Sequence, residues 1–419
     1  MKFFFPDSAD LVDPSFDFIT EMRSEDRIRQ RDEQYAHEVF SDPPYDGILV
    51  SKASVDGLAG GGSRYTVAQR HRLFREGVRG FFRLDEKECA SRLRTMGDCG
   101  AFAYWKEETP PVSAEDVADF YDILGFDYGV SVDHIIAEYR NDWDRGLPGM
   151  DLVPASVRRR QEITLDLANE FWHLHRSRGS RFEPIGVAQG WSPESYAFAV
   201  SELQKIGYTY IGLGGLVPLR THDVLESVKC ASRVRQSETR FHVFGVTRVD
   251  EIRTLSQYGV ASFDSTSPLR QAFKDDKDNY YTADWKYAAI RVPQVEGNPK
   301  LKRLVTSGQI SYEEAKRLEQ ACLSALMKYD QDQVPIGDVL GLLSEYESLY
   351  NGVVRYAEAN EKLLQDRPWK ACQCEVCKSL GIHVVLFRGA ERNRRRGFHN
   401  IYVTYQRVRD ELAAPAQAT

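Results

Sequence analysis

Short runs of β-forming residues alternate with longer amphipathic stretches over roughly the first 265 residues, and this alternation constrains the fold most. Seven runs predict strands: GILVSKA from Gly47, RTMGDC from Arg94, YGVSVD from Tyr128, EPIGVAQ from Glu183, TYIGLGG from Thr209, RFHVFGV from Arg240 and ASFDST from Ala261. An eighth strand is predicted in VRGFFRL from Val78. Strands that alternate with helices favour an α/β fold with a parallel sheet. We predict a TIM (β/α)₈ barrel, with an open doubly wound sheet as the alternative.

The C-terminal region carries a second strong pattern. Cys372, Cys374 and Cys377 form a C-x-C-x-x-C turn, and His399 follows from a later element. Three thiolates and one imidazole complete a tetrahedral Zn²⁺ shell and leave no open position for a substrate. The spacing therefore predicts a structural zinc site, in preference to reduced thiols that merely pack near a histidine.

Four segments are predicted along the 419 residues. Residues 1–46 form an N-terminal extension, and residues 47–270 form the barrel. Residues 271–368 are predicted to be a mainly helical insertion, in which SYEEAKRLEQACLSALMKY is the clearest amphipathic stretch. Residues 369–419 hold the zinc-binding segment and a closing C-terminal helix.

Composition and charge limit the cellular compartments and binding partners that the chain is expected to have. The cysteines outside the zinc segment lack disulfide-like spacing, which favours a reducing compartment. The N-terminal MKFFFPDSADLVD is too acidic for a signal peptide, and no segment is apolar enough to cross a membrane, so we expect a cytoplasmic protein without a membrane partner. The net charge of −7 argues against indiscriminate nucleic-acid binding. Two arginine runs could form local phosphate-binding faces or simply be solvated: Arg158, Arg159, Arg160 and Arg392, Arg394, Arg395, Arg396.

Polar residues or glycine end several of the predicted strands. Each lies at or just after the C-terminal end of a different strand: Asp98, Asp133, Gln189, Gly215 and Asp264. In a barrel these ends surround one mouth. Any one of the aspartates alone could be a helix cap or a turn residue. Together, three carboxylates and an amide favour a site for glycosyl chemistry, in which one carboxylate attacks an anomeric carbon and another handles a proton.

These residues carry a resemblance to a known family. The segments GDCGAF at Gly97, SVDHII at Ser131, GVAQG at Gly186, GLGGL at Gly212, FGV at Phe244, FDSTSP at Phe263 and the cysteine segment ending in HN resemble, in order, those of tRNA-guanine transglycosylases. The N-terminal FFPDSADLVDPSFDF resembles the DpdA branch of this superfamily, which modifies DNA rather than tRNA. The resemblance implies a zinc-containing TIM barrel that exchanges guanine in a polynucleotide for a deazaguanine base.

The resemblance implies catalytic and base-reading roles for the strand-end residues. Asp264 matches the nucleophile that attacks C1′ and holds a covalent glycosyl intermediate, and Asp98 matches the carboxylate that assists proton transfer. Asp133 corresponds to the acceptor for guanine N1–H and the exocyclic amine. Gln189 and the Gly215 N–H correspond to donors toward O6.

Two aromatic residues and one cation add to this reading. Phe102 and Phe244 fall where the family sandwiches the base, although each could equally be a barrel-core aromatic. Arg220 stands where relatives that take an aminomethyl base have Glu, which favours an uncharged nitrile such as that of preQ0. After Asp264, the run SPLRQAF replaces the segment that contacts tRNA in the family.

The resulting expectation is an enzyme that exchanges guanine in DNA for preQ0 by ping-pong chemistry, with a flipped target base. A DpdB-like ATPase partner is implied by the resemblance. Two alternatives stay open at this point. One is a tRNA-guanine transglycosylase that inserts preQ0 into tRNA, and the other is a non-catalytic nucleic-acid-binding subunit of such an enzyme.

Overall fold

Eight parallel strands form a closed barrel. The structure is a computed structural model, and it describes residues 1–8, 10–57, 63–145, 152–246, 248–274 and 277–414. The barrel strands are β1 (Lys2–Pro6), β2 (Gly47–Ser51), β3 (Arg94–Asp98), β4 (Tyr128–Val130), β5 (Glu183–Ala188), β6 (Tyr210–Leu213), β7 (Arg240–Val243) and β8 (Val260–Asp264). Each strand pairs with the next in sequence, and β8 returns to β1, where Phe3 lies opposite Phe263. The predicted TIM barrel is confirmed.

Helices account for most of the remaining described chain. They are α1 (Ala36–Val39), α2 (Lys52–Asp56), α3 (Val67–Phe81), α4 (Glu88–Ser91), α5 (Ala114–Leu124), α6 (Ala155–Arg178), α7 (Pro193–Ile206), α8 (Thr221–Arg233), α9 (Ile252–Gln257), α10 (Ser267–Gln271), α11 (Pro299–Thr306), α12 (Tyr312–Asp330), α13 (Ile336–Asn351), α14 (Ala357–Asp366), α15 (Pro368–Ala371), α16 (Glu375–Leu380) and α17 (Gly389–Ala413). Four short strands complete the set: β9 (Tyr280–Tyr281), β10 (Lys286–Tyr287), β11 (Ile290–Arg291) and β12 (Leu386–Phe387). Across the part of the chain that the structure describes, no helix combines the length and apolar character needed to span a membrane.

The strand predicted from Val78 is wrong. Val78 lies near the end of α3, which starts after Thr66, whose hydroxyl accepts a hydrogen bond from the Gln69 N–H. The helix is kinked at Gly77, where φ is +69°, and Val78 and Phe81 are buried in the short helical segment beyond this kink, so the run forms helix rather than strand. The eighth barrel strand is instead β1, which lies within the segment predicted to be an N-terminal extension.

The barrel interior explains where the polar strand-end residues point. Its packed core consists of Phe4, Leu49, Met96, Val130, Ile185, Val187 and Tyr210. Side chains alternate along a strand, so a residue two positions beyond a core residue faces the same interior. Asp98 stands in this relation to Met96, and Gln189 to Val187. The sequence therefore aims both polar groups into the mouth of the barrel.

The chain divides into two compact units. The first contains Met1–Ala9, Tyr45–Thr266 and Val408–Thr419, and the second contains Asp10–Pro44 and Ser267–Arg407. The eight barrel strands belong to the first unit. The second unit holds α11 to α14, and it also contains the cysteine segment.

Candidate active site and metal centre

A cavity opens at the carboxyl ends of the barrel strands. Its volume is about 90 Å³, which is enough for several water molecules. All seven predicted catalytic and substrate-binding residues line this cavity. The described residues of the lining are Leu49, Asp98, Ala101, Phe102, Asp133, Ile135, Gln189, Gly214, Gly215, Phe244, Gly245 and Asp264. The structure thus brings together residues that lie far apart in sequence.

Asp264 ends β8 and is buried, with 7% of its surface exposed. Its Oδ1 accepts a hydrogen bond from the Gly245 N–H at 2.9 Å and lies 3.2 Å from Nε2 of His242. Both contacts fall on the same carboxylate oxygen. The arrangement fixes the orientation of the carboxylate and leaves Oδ2 outside this pair of contacts.

Asp98 ends β3 and lies in a different electrostatic environment. Burial, followed by the nearby carboxylates of Asp133 and Asp264, raises the pKa of Asp98 to about 8, against an ordinary value of 3.8. The backbone N–H groups of Gly100 and Cys99 oppose this shift but do not reverse it. At neutral pH the Asp98 side chain is therefore mainly a neutral acid with a proton to donate.

Asp133 is held by two side chains that face its two oxygens. The Gln189 amide donates to Oδ2 at 2.6 Å, and the Cys99 thiol donates to Oδ1 at 3.2 Å. Burial raises the pKa of Asp133, while these two hydrogen bonds lower it. The Tyr104 hydroxyl in turn donates to the Cys99 sulfur at 3.1 Å. Each carboxylate oxygen can accept further hydrogen bonds, so Asp133 remains able to receive a ligand's N–H groups.

Two glycines after β6 make room for the Gln189 amide. A Cβ atom on Gly214 would lie 2.3 Å from Nε2 of Gln189, and one on Gly215 would lie 2.7 Å from its Oε1. Gly215 also has a φ of +76°, which residues with a side chain rarely adopt. Close approach and backbone conformation together explain why this turn reads GLGGL.

The two predicted aromatic residues occupy different settings. Phe102 follows β3 in a 3₁₀ turn, Ala101–Ala103, and is 58% exposed, so it is not a core aromatic. Phe244 follows β7 and packs partly against the barrel core. Its ring meets His242 edge-on, with 4.4 Å between ring centroids. Both rings line the cavity and can contact a planar ligand.

Cys372, Cys374, Cys377 and His399 lie together in the second unit, and we call them the Cys₃His cluster. The potential ligand atoms all lie within 4.8 Å of one another. The three sulfurs are 3.6, 3.5 and 3.3 Å from Nδ1 of His399. Nε2 of His399 faces the Tyr281 carbonyl oxygen at 2.7 Å. That carbonyl requires a proton on Nε2, which leaves the Nδ1 lone pair aimed at the sulfurs.

The surroundings of the Cys₃His cluster are built to hold these ligands. The Tyr280 ring stacks on the His399 ring at 4.2 Å, and its hydroxyl lies 3.3 Å from the Cys377 sulfur. The Cys374 sulfur caps α16 by accepting the Cys377 N–H at 3.3 Å. Three thiol sulfurs and a correctly oriented imidazole can hold a metal ion, and this donor set is compatible with zinc.

The predicted phosphate-binding face at residues 392 to 396 is wrong. Arg392, Arg395 and Arg396 are buried on α17. Arg392 pairs with Glu21, Arg395 donates to the Asp13 carbonyl oxygen at 2.7 Å, and Arg396 donates to the Val384, Leu386 and Ala272 carbonyl oxygens. These arginines satisfy internal acceptors within the second unit and are not displayed to a polymer. Arg394 is mostly covered and pairs with Glu391.

The structure also shows where the other arginines singled out in the sequence lie. Arg220 is exposed at the N-terminus of α8 and does not line the described cavity, so the geometry does not support its expected contact with the base. Arg160 donates to the carbonyl oxygens of Trp105 and Ile135 at 2.8 and 2.9 Å, which ties two loops together. Arg159 remains largely exposed beside Glu162.

Sequence reasoning missed four residues that support the site. Cys99 and Tyr104 hold Asp133, and His242 and Ser262 lie behind Asp264. His242 and Ser262 could have been found from strand periodicity, because they precede Phe244 and Asp264 by two positions and share their face. Tyr104 depends on the shape of a turn, and no pattern in the sequence indicates it.

A closed parallel barrel, a mouth cavity with three carboxylates and a Cys₃His cluster are the features expected of a tRNA-guanine transglycosylase superfamily enzyme. No family model matches the chain. A DNA-guanine transglycosylase of Salmonella montevideo is 47% identical to it over 420 aligned positions, which cover 99% of this chain and 98% of that relative. The chain therefore belongs to the DNA-guanine transglycosylase family, and it is a glycosyltransferase-type enzyme.

Proposed function

We propose that this enzyme exchanges guanine in DNA for the deazaguanine base preQ0 through a covalent aspartyl-glycosyl intermediate. One observation carries the proposal. The same cavity contains a carboxylate that is held through one oxygen and a second carboxyl group that keeps its proton. Asp264 is the first and Asp98 is the second. The relative from Salmonella montevideo, which acts on guanine in DNA by its name, supports the choice of polymer.

The first half-reaction transfers the deoxyribose to the enzyme. Oδ2 of Asp264 attacks C1′ of the target nucleotide, and the C1′–N9 bond breaks with its electron pair remaining on guanine. The neutral acid of Asp98 gives its proton to the departing base, which leaves as neutral guanine. The products are an ester between Asp264 and C1′, an Asp98 carboxylate and free guanine.

The second half-reaction reverses these steps with a different base. The Asp98 carboxylate takes the proton from the pyrrole nitrogen of preQ0, whose electron pair then forms the new bond to C1′. The ester bond to Asp264 breaks and its electron pair returns to the carboxylate. Both side chains finish in their starting protonation states, so the cycle consumes no other reactant.

Base recognition follows from the donors and acceptors in the cavity. Asp133 accepts from N1–H and the exocyclic amine, while the second N–H of the Gln189 amide and the Gly215 N–H donate to O6. Adenine presents a donor at that edge, which would leave buried donors unpaired. Phe102 and Phe244 contact the faces of the bound base.

The choice of preQ0 rests on charge. Among the described residues that line the cavity, Asp98, Asp133 and Asp264 are the only carboxylates, and each already has a role in the reaction. An aminomethyl base would bring an ammonium group with no acid of its own, whereas the nitrile of preQ0 is neutral. We therefore expect the nitrile base to be the better substrate.

We also propose that the Cys₃His cluster binds one structural Zn²⁺. The ion would have four protein ligands and no open position, so it would stabilise the fold of the second unit and take no part in the exchange. A target guanine in duplex DNA must leave the stack, at a cost of a few kcal/mol, before Asp264 reaches C1′. A DpdB-like ATPase is the proposed partner for that step.

The test measures which polymer retains a labelled base. Wild-type enzyme and Asp264→Asn are incubated with labelled preQ0 and with plasmid DNA, locally opened DNA or tRNA, with and without the ATPase partner. We expect the wild-type enzyme to place label in DNA and Asp264→Asn to place none. Guanines in opened DNA should be labelled faster than paired guanines. Label in tRNA and none in any DNA would overturn the proposed substrate.

A further inference from the structure

A buried chain of polar groups lies behind Asp264. Nε2 of His242 is 3.2 Å from Oδ1 of Asp264, and Nδ1 of His242 is 2.6 Å from the Ser262 hydroxyl. The Tyr210 hydroxyl also contacts the Ser262 hydroxyl. His242 and Ser262 are fully buried, and Tyr210 is nearly so. This series of four side chains, which we call the relay, runs from the barrel core to the cavity.

The partners in the relay are compatible with a single direction for every hydrogen bond. A nucleophilic carboxylate has no proton to give, so Nε2 of His242 must be the donor to Asp264. In the tautomer that has its single proton on Nε2, Nδ1 is an acceptor, and the Ser262 hydroxyl donates to it. With the Ser262 proton directed at Nδ1, the Ser262 oxygen accepts a hydrogen bond from the Tyr210 hydroxyl. One orientation therefore satisfies every member of the relay.

Local strand geometry creates this alignment. The register between β7 and β8 shifts after Phe241, so that Phe241 pairs with Val260 while His242 pairs with Ser262. Such irregularities re-aim side chains near active sites. The shift brings His242 beside Ser262, with Asp264 two positions further along the same face of β8.

We propose that His242 is the positioning residue for the nucleophile. Together with the Gly245 N–H, it holds Oδ1 of Asp264, so that Oδ2 is the oxygen presented to C1′. Ser262 and Tyr210 hold His242 in the tautomer that has its proton on Nε2. The edge contact between His242 and Phe244 also places the ring beside a residue that lines the base cavity. The inference rests on the proposed role of Asp264.

Two substitutions of His242 separate positioning from packing. His242→Leu fills the space and removes the donor, whereas His242→Gln can keep an N–H near the Nε2 position. Exchange of labelled guanine into opened DNA is measured at saturating DNA, with KM and unfolding recorded in parallel. We expect His242→Leu to lower kcat by about 10²-fold, as for a misplaced catalytic group, with KM changed little. His242→Gln should recover most of the rate.

Ser262→Ala and Tyr128→Phe complete the set. Ser262→Ala removes the group that selects the tautomer, so it should slow exchange in the wild-type background and have no further effect beside His242→Leu. Tyr128 packs against the same core and lies outside the relay, so Tyr128→Phe should leave kcat unchanged. Nitrogen-detected NMR should find His242 protonated on Nε2 at neutral pH.

The outcomes distinguish this inference from the proposed function. If wild-type enzyme and Asp264→Ala exchange guanine equally, the role of Asp264 fails and the inference fails with it. If wild-type exchanges, Asp264→Ala does not, and His242→Leu matches wild-type, only the inference is overturned. A kcat loss shared equally by His242→Leu and His242→Gln, or a proton found on Nδ1, would also overturn it.

Discussion

The Asp98→Asn variant should be much less active than the wild-type protein yet more stable, and the gain in stability should grow with pH. The cause is the raised pKa of Asp98, about 8 in the folded state against an ordinary value of 3.8. At a pH between these two pKa values, Asp98 keeps its proton in the native protein and loses it in the unfolded chain. The native state therefore binds more protons, and stability falls as pH rises through this window. Below pH 4 Asp98 costs the native state no stability, and above pH 8 the loss of stability has reached its full size.

The size of the effect follows from the pKa interval. Each pH unit within it is worth about 1.36 kcal/mol, so the whole interval sets an upper bound of roughly 5–6 kcal/mol. Asp98 retains partial exposure, and an effective dielectric constant near 20 applies even at buried sites, so we expect about 2–3 kcal/mol. Asparagine is neutral at every pH and can still accept a backbone N–H, so it escapes this penalty.

Urea unfolding of both proteins between pH 5.5 and 8.5 measures the difference directly. Any loss of metal from the Cys₃His cluster affects both proteins alike and cancels in the comparison. Asp166→Asn is the control, because Asp166 is exposed on α6 and solvated in both states. Exchange activity of Asp98→Asn should fall by roughly 10²–10⁴-fold, as for loss of a general acid. A stability difference that is constant across this pH range would refute the electrostatic argument.

Three further predictions concern the nucleophile, the metal and the glycine turn. Asp264→Ala and Asp264→Asn should abolish both exchange and the covalent DNA adduct, measured by denaturing gel electrophoresis, and an adduct formed by either variant would exclude Asp264 as the nucleophile. Cys374→Ala should lose zinc, measured by metal analysis, and stability together, and wild-type protein purified under reduction without zinc would contradict the metal assignment. Gly214→Ala should displace the Gln189 amide, since the new Cβ would lie 2.3 Å from its Nε2. Its KM for the incoming base should rise while adduct formation persists, and an unchanged KM would show that the turn tolerates a side chain.

Strand-end reasoning predicted the cavity well because barrel geometry is repetitive. Asp98, Gln189 and Asp264 all continue the inward-facing series of their strands, and parallel strands bring their carboxyl ends to one mouth. The Cys₃His cluster was equally predictable, since three ligands come from one short turn. In both cases local sequence determines the position of the side chain, so no knowledge of distant contacts is required.

The predictions that were wrong, for the arginine run and for the eighth barrel strand, share a different cause. Arg392, Arg395 and Arg396 resemble a solvated basic run, and their burial depends on Asp13, Glu21 and carbonyl groups that lie far away in sequence. Likewise, β1 closes the barrel through pairing with β2 and β8, although it is a five-residue strand at the very start of the chain. A single sequence does not reveal which distant partner will satisfy a charge or a strand edge.

The structure also separates two aspartates that the sequence presents as equals. Asp98 and Asp264 both end barrel strands and both line the cavity, so position alone does not assign their roles. Their partners differ, because the Gly245 N–H donates to Oδ1 of Asp264 and Nε2 of His242 lies 3.2 Å from the same oxygen. Asp98 instead faces the charges of Asp133 and Asp264, which raise its pKa along with burial. We propose that these different surroundings make Asp98 the acid and Asp264 the nucleophile.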